Sequence, residues 1–371
     1  MQLNGTNGRY LKLWFGIVLC CFSMLFLTQF LAIFERAKWS VLANVSDIAQ
    51  SLDRNLTLNC VLISKNIRPK TSPELGLVRS KIVPDSERFI SGFKATYRRL
   101  IVMHTDNPLA ILKSPPTVRA RVLIISACYK SYQEFCDITF ARFTEYAAFH
   151  NYTFRGHRTL AHPTAHFSWQ KIFIAQAVLQ KEFEDFDVIA WIDADIYIGT
   201  LNVAIESFFA LADCQTHIIL SRDIDSRTPT HLVNFGVFLL KVSSIGVQFI
   251  DHIIDLYDRV PYFRDHIFLE QSAAVLAIYE RFSESATLLP MCVLQHFWTR
   301  GYRSWIEGAF LLHLVDQKNP ERLKLLKQIR NQNETDWQKT LRNGTKTKHR
   351  CFNEFSPDLF GNPWQQKPNL I

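Results

Sequence analysis

No G-x-G-x-x-G follows the first apolar strand of this chain and no G-x-x-x-x-G-K-S/T occurs anywhere, so it carries neither a dinucleotide fingerprint nor a P-loop. Any phosphate it binds is held by another device. Glycine and proline are sparse, 13 and 14 of 371 residues, which excludes collagen-like and proline-rich disordered classes. Internal repeats and low-complexity tracts are missing too, which removes solenoids. The formal net charge is +8, but 13 Lys/Arg against 5 Asp/Glu between Asp53 and Arg121 account for all of it. Without an arginine-rich helix or an aromatic-basic repeat, that stretch reads as a solvated linker, not a nucleic-acid surface.

What the chain has is a long apolar run near its start. Leu13 to Phe34 is 22 residues without a charge, and at 1.5 Å per residue a helix of that length spans about 33 Å, enough for a bilayer core. The run is longer than a signal-peptide core and passes directly into Glu35-Arg36, so it predicts an uncleaved signal-anchor. Basic residues tie across the span, two on each side, so charge does not orient it. Acceptor patterns for N-glycosylation at Asn44, Asn55, Asn151, Asn333 and Asn343 lie on its carboxyl side, and a sixth, Asn4-Gly-Thr6, precedes it and would be cytosolic and unused. The expectation is a single-pass type II Golgi membrane protein: a cytosolic tail over 1–12, the anchor over 13–34, a lumenal stem over 35–118, a catalytic domain over 119–330 and an extension over 331–371. Outside the span six cysteines remain, Cys60, Cys128, Cys136, Cys214, Cys292 and Cys351, which suit lumenal disulfides without fixing their pairing.

From Arg121 the chain alternates short apolar runs with helical periodicity. Strands are predicted at 122–126, 152–155, 187–192, 217–221 and 234–241. Helices are predicted at 134–150, 168–181 with Ser168 as N-cap, 204–211, 244–258 and 268–282. This order implies an α/β domain, an open, largely parallel sheet with helices on both faces.

Asp193-Ala194-Asp195 follows Val188-Ile-Ala-Trp-Ile192 directly. If the strand continues, residues i and i+2 share a face, so both carboxylates converge while Ala194 points away. They then sit at the strand's carboxyl end, where open α/β sheets bind ligands. Two hard oxygen donors this close call for a cation, and Mg²⁺ or Mn²⁺ bridging to a diphosphate suits them.

His166-Phe-Ser-Trp169-Gln-Lys171, Asp193-Ala-Asp195, Asn234-Phe-Gly236-Val-Phe-Leu, Glu270-Gln271 and Gly308-x4-His313 occur in an order that resembles glycosyltransferase family 34, the fungal Golgi α-galactosyl- and mannosyltransferases and plant xyloglucan xylosyltransferases. The resemblance covers roughly residues 120–330. It implies a GT-A fold, a Rossmann-like mixed sheet, with a nucleoside-diphosphate sugar as donor, a glycan hydroxyl as acceptor, a divalent metal and retention of anomeric configuration. It assigns Asp193, Asp195 and His313 to Mn²⁺ (or Mg²⁺), and Ser126, Lys171, Asp193, Asn234, Gly236 and Lys318 to the donor. Glu270 and Gln271 fall near the reacting sugar, and Asp223 ends the fourth strand where donor or acceptor can meet it. Galactose is the first donor sugar it suggests, then xylose or mannose, and it suggests a homodimer or a Golgi enzyme complex.

Two positions depart from the family pattern: Ala309 stands where an acidic residue is expected, and Asp316 where a glycine is expected. These departures motivate the alternative of a non-catalytic glycan-binding or scaffold protein on a degenerate GT-A fold. A haloacid-dehalogenase-like phosphatase, which also places D-x-D after an apolar strand, fits less well: Tyr197 replaces the expected Thr or Val, and two βα units precede the motif.

Overall fold

The computed structural model describes residues 112, 116, 119–129, 132–223, 233–265, 269–299, 305, 309–315, 319–332 and 334–344. The anchor at 13–34, nearly all of the stem, and Lys318 lie outside the described residues. Among the described residues no helix is long and apolar enough to cross a membrane.

The chain runs β1 (Val122–Ala127), α1 (Gln133–His150), β2 (Thr153–His157), a 3₁₀ turn (Phe167–Trp169), α2 (Gln170–Lys181), β3 (Val188–Ile192) and β4 (Ile196–Ile198). A 3₁₀ helix (Ile205–Leu211) leads to β5 (Ile218–Arg222) and β6 (Val233–Lys241). Then come α3 (Ser244–Arg259), α4 (Pro261–Asp265), α5 (Leu269–Ala277), a π-turn (Ile278–Phe282) and β7 (Ala286–Leu289). The last elements are α6 (Met291–Leu294), β8 (His296–Phe297), β9 (Leu311–His313), α7 (Asn319–Arg330) and α8 (Glu334–Gly344). The main sheet has the order β2-β1-β3-β6-β5-β7, and a second sheet the order β4-β9-β8.

β1 is parallel to β2 and β3, and β5 is parallel to β7, but β6 is antiparallel to both β3 and β5. The sheet is therefore mixed, and less parallel than the strand-helix alternation suggests. Ten residues separate β5 from β6. That is shorter than the dozen or more a parallel crossover needs, so the chain has to turn back.

Both faces of the main sheet are covered, which is why β1, β3 and β6 read as near-continuous apolar runs. Val122, Ile124, Val188, Ala190, Val237 and Leu239 face one core with α1 and the small sheet. Leu123, Ile125, Ile189, Trp191, Phe238 and Leu240 face the other with α2, α3 and α5. On α1, Phe135, Ile138, Phe143, Tyr146 and Ala147 recur at helical spacing and are buried. Asn151 ends this helix in the left-handed region (φ 60°), which its short polar side chain tolerates. The side chain that caps the turn into α2 is that of His166, which accepts from the Ser168 amide; Ser168 does not cap. The predicted helix over 204–211 is 3₁₀. Packing continues past residue 330, for Trp337 and Leu341 of α8 are buried in the first core. Cys128 and Cys136 form a disulfide between the end of β1 and α1.

Candidate functional site

One irregularity of the sheet builds the site. Pairing between β5 and β6 jumps from Leu220↔Phe238 to Ser221↔Asn234, so β6 bulges over Phe235–Val237. The bulge faces the end of β3, where the Asp193 amide donates to the Gly236 carbonyl at 2.8 Å.

Asp193 and Asp195 do converge, by a different route from the pleat argument. β3 stops at Ile192, and a turn closed by the Ile196 amide on the Asp193 carbonyl (3.1 Å) carries both aspartates. Because of that turn Ala194 does not point away; it lines the same cleft. The third member arrives from 118 positions later in the chain. β9 pairs antiparallel with β4, setting His313 opposite Ile196, and the Leu314 amide donates to the Asp195 carbonyl at 3.0 Å. Ligand atoms of Asp193, Asp195 and His313 lie within 4.8 Å of one another. Of the two faces of Gly236, the one a Cβ would occupy is turned to this cluster: the added atom would stand 2.5 Å from His313 Cε1 and 3.3 Å from Asp193 Oδ2. Gly236 thus makes room for the histidine.

A chain of amides fixes the state of that histidine. The Gly236 amide can only donate, so the Asn234 oxygen it meets at 3.0 Å is Oδ1. Gln295 also meets Asn234 Oδ1 at 3.0 Å and must use its Nε2–H there. Its Oε1 is left to accept at 3.0 Å from Nδ1–H of His313. His313 Nε2 then faces Asp195 Oδ1 at 3.3 Å. Carboxylate, carboxylate and an oriented imidazole make a donor set that fits Mn²⁺, with the amide relay as its outer support.

Lys171, on α2, is buried between two carboxylates, 3.1 Å from Asp193 and 3.1 Å from Glu270, and also donates to the Phe235 carbonyl at 3.0 Å. Burial alone would lower its pKa, but Asp193 and Glu270 outweigh it and hold the ammonium above its ordinary range. Burial raises the Asp193 carboxyl, with Asp195 adding to the effect and Lys171 opposing it. Asp195 is held low despite burial, because His313 and Arg322 stabilise its charge. The Trp191 indole N–H also donates to Asp193, at 2.6 Å. Glu270 opens α5 directly after Leu269, whose φ of 42° is strained for a branched residue.

These groups line a cleft of about 550 Å³, within the range of small-molecule sites. Ala127, Cys128, Tyr129 and Tyr132, with Phe135 and Phe167, also line it. Burial and the nearby Asp193 push the Tyr129 phenol up to about 12, so it stays neutral.

The structure thus gathers Lys171, Asp193, Asp195, Gly236, Glu270 and His313. Ser126 is fully enclosed and its neighbour Ala127 faces the cleft instead. Asn234 acts toward His313 through Gln295, and its Nδ2 meets Asp223 at 3.4 Å. Gln271 accepts from the Phe235 amide at 3.2 Å and so braces the bulge. Sequence reasoning missed Gln295, Arg322, Tyr129 and Trp191. Trp191 stands two residues before Asp193 in a strand, which is signal enough; the other three carry no local pattern.

No family model and no curated protein matches the chain. Several solved glycosyltransferase structures are similar to part of the chain. One, involved in the glycosylation of the major capsid of PBCV-1, is 18% identical with a TM-score of 0.48, covering 56% of this chain and 99% of its own. GlyE of Streptococcus pneumoniae is 12% identical with a TM-score of 0.41, covering 61% of this chain and 66% of its own. Mouse xyloside xylosyltransferase 1 is 14% identical with a TM-score of 0.36, covering 53% of this chain and 98% of its own.

Proposed function

We propose that this protein is a metal-dependent glycosyltransferase of family 34 type, moving a sugar from a nucleoside diphosphate to a glycan hydroxyl with retention of configuration. The observation that carries the reading is the Asp193-Asp195-His313 cluster, tight enough for one cation and oriented by its own relay, at the end of a strand and beside a cleft of ligand size. A bound divalent ion would act as a Lewis acid on a departing diphosphate, a contribution of several kcal/mol. Asp193, Asp195 and His313 would hold that ion. Lys171 balances the charge of Asp193 and Glu270 in a buried place. Glu270 offers a fixed carboxylate in the cleft, where positive charge developing on an anomeric carbon is stabilised. The acceptor hydroxyl approaches on the face the diphosphate leaves.

The body belongs in the Golgi lumen, anchored through residues 13–34. The Cys128–Cys136 disulfide suits an oxidising compartment, and Asn151, one of the acceptor sites, is exposed. UDP-galactose ranks first as donor, with UDP-xylose and GDP-mannose next. The test is the purified full-length chain with Mn²⁺ and this donor panel, read by released nucleotide. Wild type releases nucleotide with one of them, and Asp193→Ala or Asp195→Ala abolishes it without loss of folding. Undiminished release by the variants overturns the proposal.

A further inference from the structure

We infer that Arg322 is a resident stand-in for the cation: it neutralises Asp195 while the site holds no ion, gives that carboxylate up when an ion loads, and turns its guanidinium to the diphosphate. This rests on the metal-site reading above.

Arg322 lies on the first turn of α7, mostly buried, and lines the same cleft as Asp193, Asp195 and Glu270. Its Nη1 donates to Asp195 Oδ2 at 3.0 Å. Its Nε is buried and has no hydrogen-bond partner among the described residues. A guanidinium carries five N–H donors in a rigid fork suited to phosphate oxygens. A buried, unanswered donor on that fork is costly unless a ligand answers it.

Among the described residues the other cation lining the cleft, Lys171, is not available for this. Lys171 has three donors, and Asp193, Glu270 and the Phe235 carbonyl accept them. Turning Lys171 outward would leave two buried carboxylates unpaired, whereas Arg322 leaves only Asp195, and does so when an ion arrives to replace it. Charge agrees. Among the described residues, three carboxylates (Asp193, Asp195, Glu270) against Lys171 and Arg322 leave the cleft one negative charge. A divalent ion makes it positive, which a diphosphate then balances. Arg322 is thus the group that couples ion binding to binding of the anion.

The inference predicts opposite signs for one variant. Mn²⁺ binding to the full-length chain is followed by the electron paramagnetic resonance of the free ion, then inorganic pyrophosphate is titrated into the Mn²⁺-loaded protein. Arg322→Gln removes a competitor from Asp195, so Mn²⁺ alone binds about 2–5-fold tighter, the range expected for losing one ion pair that solvent still reaches. Pyrophosphate binding falls by about tenfold or more, as for loss of a charge-assisted pair. Arg322→Lys, which keeps the charge but not the fork, lies between wild type and Arg322→Gln on both axes and serves if the glutamine variant does not fold. Mn²⁺ binding that is unchanged or weaker in a folded variant, or pyrophosphate binding that is unchanged or absent in wild type, overturns the inference alone. Failure of wild type to bind Mn²⁺ at all removes the metal-site reading and this with it.

Discussion

Gln295 touches no ligand, yet it decides which nitrogen of His313 carries the proton. Replacing it by leucine keeps the volume near constant and removes both ends of the relay. His313 Nδ1–H, buried, then loses its acceptor, which costs about 1–3 kcal/mol of stability. Asn234 Oδ1 keeps the Gly236 amide and loses only the Gln295 bond. With its outer partner gone, His313 is free to rotate or to adopt the other tautomer, and loss of such a partner weakens metal binding about 10–100-fold, which is about 1.4–2.7 kcal/mol. Gln295→Glu separates the two ends. A carboxylate still accepts from His313 Nδ1–H, in the arrangement common behind zinc-bound histidines, so Mn²⁺ affinity stays within a few-fold of wild type. Its second oxygen, however, faces Asn234 Oδ1 with no hydrogen between them, and stability falls. Mn²⁺ titration beside urea unfolding reads both quantities. The leucine variant loses affinity and stability together, the glutamate variant mainly stability. A folded Gln295→Leu protein that binds Mn²⁺ as wild type does would refute the relay as the device that orients His313.

Gly236→Ala places a methyl 2.5 Å from His313 Cε1, closer than carbon atoms tolerate, so the ring has to move. Overpacking of this kind costs about 1–3 kcal/mol, and Mn²⁺ affinity is expected to fall with thermal stability; a variant that binds Mn²⁺ normally would show the contact to be soft. His217, bonded to Ser243 at 2.8 Å, has its pKa lowered to about 4 by burial and by the neighbouring Lys241. The unfolded chain takes up the proton first, near pH 6.5, so this group's contribution to stability is complete above that pH and is lost as pH falls toward 4, by about 2–3 kcal/mol at most. Urea midpoints at pH 7, 5.5 and 4.5 should drop less steeply in His217→Gln, and parallel slopes would assign the acid sensitivity elsewhere.

The sequence alone determined a good deal here. Period-two and period-3.6 patterning, interrupted by few glycines and prolines, located β1, β3, β6, α1, α2 and α3 within a few residues, because each of these elements buries a whole face. The paired aspartates were legible because two acids at the end of a buried strand repel each other and lose hydration unless a cation meets them there. What the tertiary structure decided is everything that depends on elements meeting from far apart. The β6 bulge that brings Gly236 and Phe235 to the site has no local signature. Gln295 and Arg322 stand 100 and 127 positions beyond Asp195 and enter only because β8 and β9 extend a sheet from β4 and α7 packs on α1. The pairing of Lys171 with Glu270 likewise exists only where α5 packs on β6 and on the 3₁₀ turn that leads into α2. Local periodicity reports which face of an element is buried; it carries no information on which distant side chain shares that burial, and a site made of shared burial is assembled only when the chain folds.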